Sequence, residues 1–139
     1  MPSGSCFCGT VKISHMGDVP LQRMTSSAFS INAMVSATEF SLDAGDPKRK
    51  IISSVPGREV AYYFCGECGT TLWSEDCSRP EVRFVKYGCM DDLAAKNAGK
   101  PKYEICTSTK LSWVPQVEGA KQYEDIAGLR EELSGEASG

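Results

Sequence analysis

Cys6-Phe7-Cys8-Gly9 and Cys65-Gly66-Glu67-Cys68-Gly69 decide the reading of this chain. Each is a tight pair of cysteines followed at once by glycine. Tetrahedral zinc takes four thiolate sulfurs at about 2.3 Å, and two turns giving two sulfurs each are a common way to supply them. A glycine directly after the pair lets the backbone bend until its N–H groups point at the sulfurs and stabilise their charge. The spacing therefore predicts a metal site made of Cys6, Cys8, Cys65 and Cys68, holding one structural zinc. Disulfides are the competing use of paired cysteines. The N-terminus does not read as a signal peptide, so a reducing compartment and a cytoplasmic location are expected.

The bulk composition narrows the class further. A chain of 139 residues is one domain, small enough to gain from a metal crosslink. Its net charge of −3 gives no basic face for nucleic acid. No apolar run approaches the roughly 20 residues of a membrane helix. Seven cysteines are an odd number, so at least one thiol stays unpaired in any disulfide scheme.

Short alternating runs between turn residues fill the first two thirds. Strands are expected at Thr10–Ile13, Ala28–Val35, Glu39–Leu42, Arg49–Ser53, Val60–Phe64, Thr70–Trp73, Val82–Tyr87 and Tyr103–Cys106. Helices are expected only around Asp91–Asn97 and Ile126–Leu133. The pattern predicts a mostly β fold of antiparallel sheets over residues 1–133, with a disordered tail at Ser134–Gly139. The two cysteine pairs fall at strand–turn corners far apart in sequence. A metal joining them closes a long loop, where a crosslink constrains the unfolded chain most.

Three stretches carry a family resemblance: Gly4-Ser5-Cys6-Phe7-Cys8-Gly9-Thr10-Val11, Ser27-Ala28-Phe29-Ser30-Ile31-Asn32-Ala33, and Phe64-Cys65-Gly66-Glu67-Cys68-Gly69-Thr70-Thr71-Leu72-Trp73. With Gly88-Cys89-Met90-Asp91-Asp92 and Ser112-Trp113-Val114-Pro115, they resemble the glutathione-dependent formaldehyde-activating (GFA, or CENP-V/GFA) family, closest in flavour to its fungal branch. The resemblance implies an Mss4-like fold of antiparallel sheets stapled by the four-cysteine zinc. It also implies carbon–sulfur lyase chemistry on glutathione–formaldehyde adducts. Family members place a Cys-x-Cys-x-x-Cys cluster for a second, catalytic zinc just before the Ser-Ala-Phe-Ser segment. Here the stretch from His15 to Ser26 contains no cysteine.

That departure divides the functional expectations. A Lewis acid needs an open coordination position, which a closed four-sulfur site lacks. His15, Cys77, Cys89 and Cys106 are the remaining candidates for a second site, although none has a ligand spacing. The resemblance places Phe29, Asn32, Trp73 and Trp113 beside the substrate region, as a possible small-molecule pocket. Arg23, Arg58 and Lys86 can pair with a carboxylate, and Glu75 or Asp76 can act as acid or base. Three readings stay open: altered, metal-independent chemistry; the family's lyase or synthase reaction; and a non-catalytic zinc-stapled binding domain. Exposed edge strands leave room for a homodimer.

Overall fold

The computed structural model describes residues 3–16, 20–23, 29–55, 57–92 and 100–137. Its strands are β1 (Ser3–Ser5), β2 (Lys12–His15), β3 (Pro20–Arg23), β4 (Ser30–Ser36), β5 (Phe40–Ala44), β6 (Lys48–Val55), β7 (Arg58–Phe64), β8 (Thr71–Asp76), β9 (Val82–Lys86), β10 (Tyr103–Glu104) and β11 (Lys121–Gln122). One helix, α1 (Ile126–Ala137), follows them. A three-stranded sheet runs β1-β2-β5, and an eight-stranded sheet runs β11-β10-β3-β4-β9-β8-β7-β6. The expected mostly β, antiparallel architecture is what the chain adopts. Short parallel pairings of β10 with β3 and with β11 are an addition.

The larger sheet buries both faces. On β4 and β9, Ala33, Val35 and Val85 join Trp73 and Leu72 in one core, against Cys6, Val11 and Ile13 from the smaller sheet and the turn before it. The alternate residues Met34 and Phe84 face a second core with Ile105, Leu129, Tyr103 and Tyr123. Strand periodicity of two makes this division, one face to the small sheet and the other to the C-terminal segment. A register shift between Tyr63 and Phe64 breaks the alternation at the start of β8, where neighbouring Leu72 and Trp73 both enter the first core.

Differences from the sequence reading lie in short pieces. β1, β3 and β11 have two to four residues, too few to show a period. Thr10 and Val11 belong to the turn that precedes β2, because Val11 N–H is directed at Cys6 Sγ. Only Tyr103–Glu104 of the expected Tyr103–Cys106 strand is paired, since Cys106 takes a left-handed φ of 58° and turns the chain away. α1 continues past Leu133 to Ala137, into the stretch expected to be a disordered tail. The helix expected over Asp91–Asn97 falls, beyond Asp92, outside the described residues.

Two buried carboxylates hold the C-terminal third in place. Asp76, at the end of β8, accepts from Arg58 Nε at 3.3 Å and from Ser78 Oγ at 2.6 Å, and pairs with Arg130 of α1. Asp125 caps α1 by accepting from the N–H groups of Ala127 and Gly128. Glu104 of β10 accepts from Lys110 Nζ and from Val117 N, each at 3.0 Å, and from Gln122 Nε2. Burial alone raises the Glu104 carboxyl, but these donors outweigh it and hold the group below its ordinary value.

Asp76→Ala leaves two arginines without their buried partner and is expected to destabilise the chain by about 3 kcal/mol in urea unfolding. Arg130→Met, at a side chain one-third exposed, should lose less than about 1 kcal/mol. Because the folded-state pKa of Glu104 is depressed, its stabilisation is complete above the unfolded carboxyl value, about 4.3, and disappears as pH falls through the folded value. Glu104→Gln should flatten that acid limb of the stability–pH curve.

Candidate metal centre

Both cysteine pairs sit on similar turns, the second with one more residue between its cysteines. Cys6 N–H donates to Val11 O at 3.1 Å, and Cys65 N–H donates to Thr70 O at 2.9 Å. Gly9 N–H returns to Cys6 O and Gly69 N–H to Cys65 O, at 3.0 and 2.8 Å. These turns need a left-handed residue after the second cysteine, and Gly9 and Gly69 supply it at φ 78° and 76°. The first turn leads into β2 of the small sheet; the second joins β7 to β8 of the large one.

The two turns bring four sulfurs to one point. All four Sγ atoms lie within 4.8 Å of one another, with Cys6–Cys8 at 3.4 Å and Cys8–Cys65 at 3.7 Å. A tetrahedron of Zn–S bonds of about 2.3 Å has sulfur–sulfur edges of roughly 3.8 Å, so the spacing suits a metal at the centre. A disulfide needs about 2.05 Å, well short of these separations, and none of the four cysteines is in a disulfide. Cys6 and Cys65 are buried, whereas Cys8 and Cys68 face outward. The group can hold a metal ion.

The surroundings favour thiolate at some sulfurs. The Thr70 hydroxyl lies 3.2 Å from Cys68 Sγ and, with the Thr70 and Cys8 backbone, brings the Cys68 thiol down to about 5. Phe7 N–H donates to the same Thr70 oxygen at 3.2 Å, which leaves the hydroxyl proton for the sulfur and links the two turns directly. Thr10 stands in the equivalent place, 3.2 Å from Cys8 Sγ. At Cys6, burial works against the thiolate, but the Val11 N–H and Cys8 outweigh it and the thiol is lowered. At Cys65 the Cys68 N–H lowers the thiol, yet burial and the crowding of Cys6 and Cys8 push it up to about 11. Sulfurs this close cannot all ionise without a cation between them. Thr10 and Thr70 were missed as site residues, although the Cys-Gly-Thr repeat after both pairs is their signal.

A profile of the family described as glutathione-dependent formaldehyde-activating enzyme matches residues 1–109, which include both turns. The chain belongs to that family. Among solved structures, a Rhodobacter sphaeroides protein from structural genomics is similar in fold, with a TM-score of 0.57 at 18% identity. The match covers 71% of this chain and 96% of that one. No curated protein matches the chain.

The other candidate residues scatter. Trp73 is buried in the core between the sheets, stacked on Tyr63 at 4.5 Å and tilted against Phe40 at 4.8 Å. Asn32 is fully buried and donates to Ser30 Oγ, with Oδ1 unpartnered among the described residues. It alternates with Ala33, so it lies on the sheet face opposite Trp73. Those two do not line one cavity. Phe29 and Trp113 are 41% and 71% exposed.

His15 is fully buried on the same side of β2 as Ile13, and neither ring nitrogen has a partner among the described residues. Cys77 is exposed beyond β8, Cys89 Sγ donates to Lys86 O at 2.9 Å, and Cys106 packs on the second core. Among the described residues, these cysteines and His15 join no group of three or more metal-ligating side chains. Arg58 and Asp76 pair with each other, and Glu75 is held by Arg83 at 2.8 Å and by Trp73 Nε1 at 3.2 Å. For Arg23, side-chain placement lies outside the described residues.

Gly69→Ala meets no neighbour but forces a Cβ into a left-handed position, at a cost of about 1 kcal/mol in chemical denaturation. Cys65→Ser should abolish metal binding and most of the cooperative unfolding transition with it, since structural zinc contributes about 10–16 kcal/mol in zinc-finger peptides against typical domain stabilities of about 5–15. Metal analysis and circular dichroism on the purified variant check both expectations; a folded, unshifted melt would count against the staple.

Proposed function

We propose that the chain is a zinc protein of this family with one structural ion, and that any reaction it performs on a small molecule runs without a second, catalytic zinc. The observation that supports the first half is the closed group of four sulfurs on two matching turns. An all-thiolate tetrahedral shell is the donor set of structural zinc. The same closure supports the second half. With four protein sulfurs on the ion, no position is left for a carbonyl or a substrate thiolate, so Lewis-acid chemistry requires a different metal. No cysteine stands between Cys8 and Cys65, where the resemblance expects the catalytic ligands.

Under this reading the zinc joins the two sheets, and ligand contact belongs to other surfaces. Of the residues expected around substrate, Phe29 and Trp113 are the exposed ones, so a ligand reaching the aromatics meets these first. Trp73 and Asn32 are buried on opposite faces of the sheet, away from that surface.

The family's description supports a second reading, carbon–sulfur bond chemistry on glutathione and formaldehyde. The two differ in metal count. Native mass spectrometry of the purified chain should give one zinc per chain, and adding the chain to glutathione and formaldehyde should not accelerate adduct formation. Two zinc ions per chain, or clear acceleration lost on chelation, would replace the first reading with the second. One zinc with no small-molecule ligand at all would leave a binding or scaffolding domain.

A further inference from the structure

The free edge of the eight-stranded sheet carries three cations in succession. Among the described residues, β6 pairs only with β7, and it contributes Lys48, Arg49 and Lys50. Alternation puts Lys48, Lys50 and Ile52 on one face of that strand. Register places Phe64 opposite Lys48 and Tyr62 opposite Lys50, with Thr71 opposite Phe64 on the far side. These six residues, with Arg49, line an open groove of about 610 Å³. That volume is within the usual size of small-molecule sites, roughly 300–1,000 Å³.

Charge and position both distinguish the groove. Lys48 and Lys50 are exposed, and neither has an ion-pair partner among the described residues, in a chain whose net charge is −3. Two residues along a strand set their stems about 6.8 Å apart. Tyr62 and Phe64 form a half-buried aromatic floor between them and the rest of the sheet. The Lys48 stem crosses Gly66, where an added Cβ would come within 2.8 Å of Cε. The Lys48 stem therefore lies over the turn that carries Cys65 and Cys68. Lysines that only guard a sheet edge need charge, but no aromatic floor beside them.

We propose that this groove binds a small organic dianion, with two carboxylates held by Lys48 and Lys50 and a flat apolar body resting on Tyr62 and Phe64. The stem spacing fits two carboxylates separated by a ring-sized body. A planar apolar centre matches the aromatic floor better than an inorganic ion does. The site is independent of the metal's identity and of the reaction.

The test is a proton–nitrogen NMR titration of the full chain with terephthalate at low ionic strength. Uncharged terephthalamide is the matched control. Terephthalate should shift amides of β6, of β7 near Tyr62–Phe64 and of Thr71, and terephthalamide should bind at least about tenfold more weakly. Lys48→Gln with Lys50→Gln should reduce terephthalate affinity about tenfold while leaving metal content and melting temperature unchanged. Should the double variant self-associate through the bared edge, Lys50→Gln alone is expected to lose about threefold. Equal binding of the diamide, unchanged affinity in the variants, or shifts confined to other surfaces would overturn the proposal.

Discussion

The junction of four cysteines is the constraint on which the rest of the structure depends. Cys6 and Cys8 belong to the turn that starts the small sheet, and Cys65 and Cys68 to the turn between two strands of the large one. Bringing the pairs together fixes how the sheets face each other across Val11, Ile13, Val35, Trp73 and Val85. The four sulfurs are too far apart for disulfides and too close to carry full charge without a cation. Their arrangement makes sense as a metal shell. The Phe7–Thr70 hydrogen bond adds a direct tie between the turns, so they are matched even at the level of the backbone.

Around that junction the large sheet works as a partition. Its first core is shared with the small sheet, and its second with the C-terminal segment and α1. Burying both faces leaves few places for charge inside, and those that exist are satisfied by several donors at once. Asp76 gathers Arg58, Ser78 and Arg130; Glu104 gathers Lys110, Val117 N–H and Gln122. Each carboxylate connects segments distant in sequence. Asp76, which the sequence offered as an acid or base, is thereby held by several donors inside the fold.

The partition also separates functional candidates. Trp73 and Asn32 stand on opposite faces, and His15 is enclosed in the core with no partner among the described residues. A metal held by all four sulfurs of that group would have no open position for chemistry. Accessible surface with a definite chemical character lies instead along β6, where cations and aromatics alternate across the free edge of the sheet.

The sequence by itself determined the mostly β class, the four cysteines that come together and most of the longer strands. Those features are local: a Cys-x-Cys-Gly or Cys-x-x-Cys-Gly turn, and a period of two over five residues or more, are legible without knowing their neighbours. Three-residue β1 and two-residue β11 were not legible, because their strand geometry comes from pairing partners and not from pattern. The threonines beside Cys8 and Cys68 carried a signal in the repeated Cys-Gly-Thr, but its meaning depends on where their hydroxyls point. Only the tertiary structure decided which face each residue takes. A bulge at the start of β8 and a left-handed residue at Cys106 reset the alternation, and such shifts are settled by packing across sheets, which no single strand encodes.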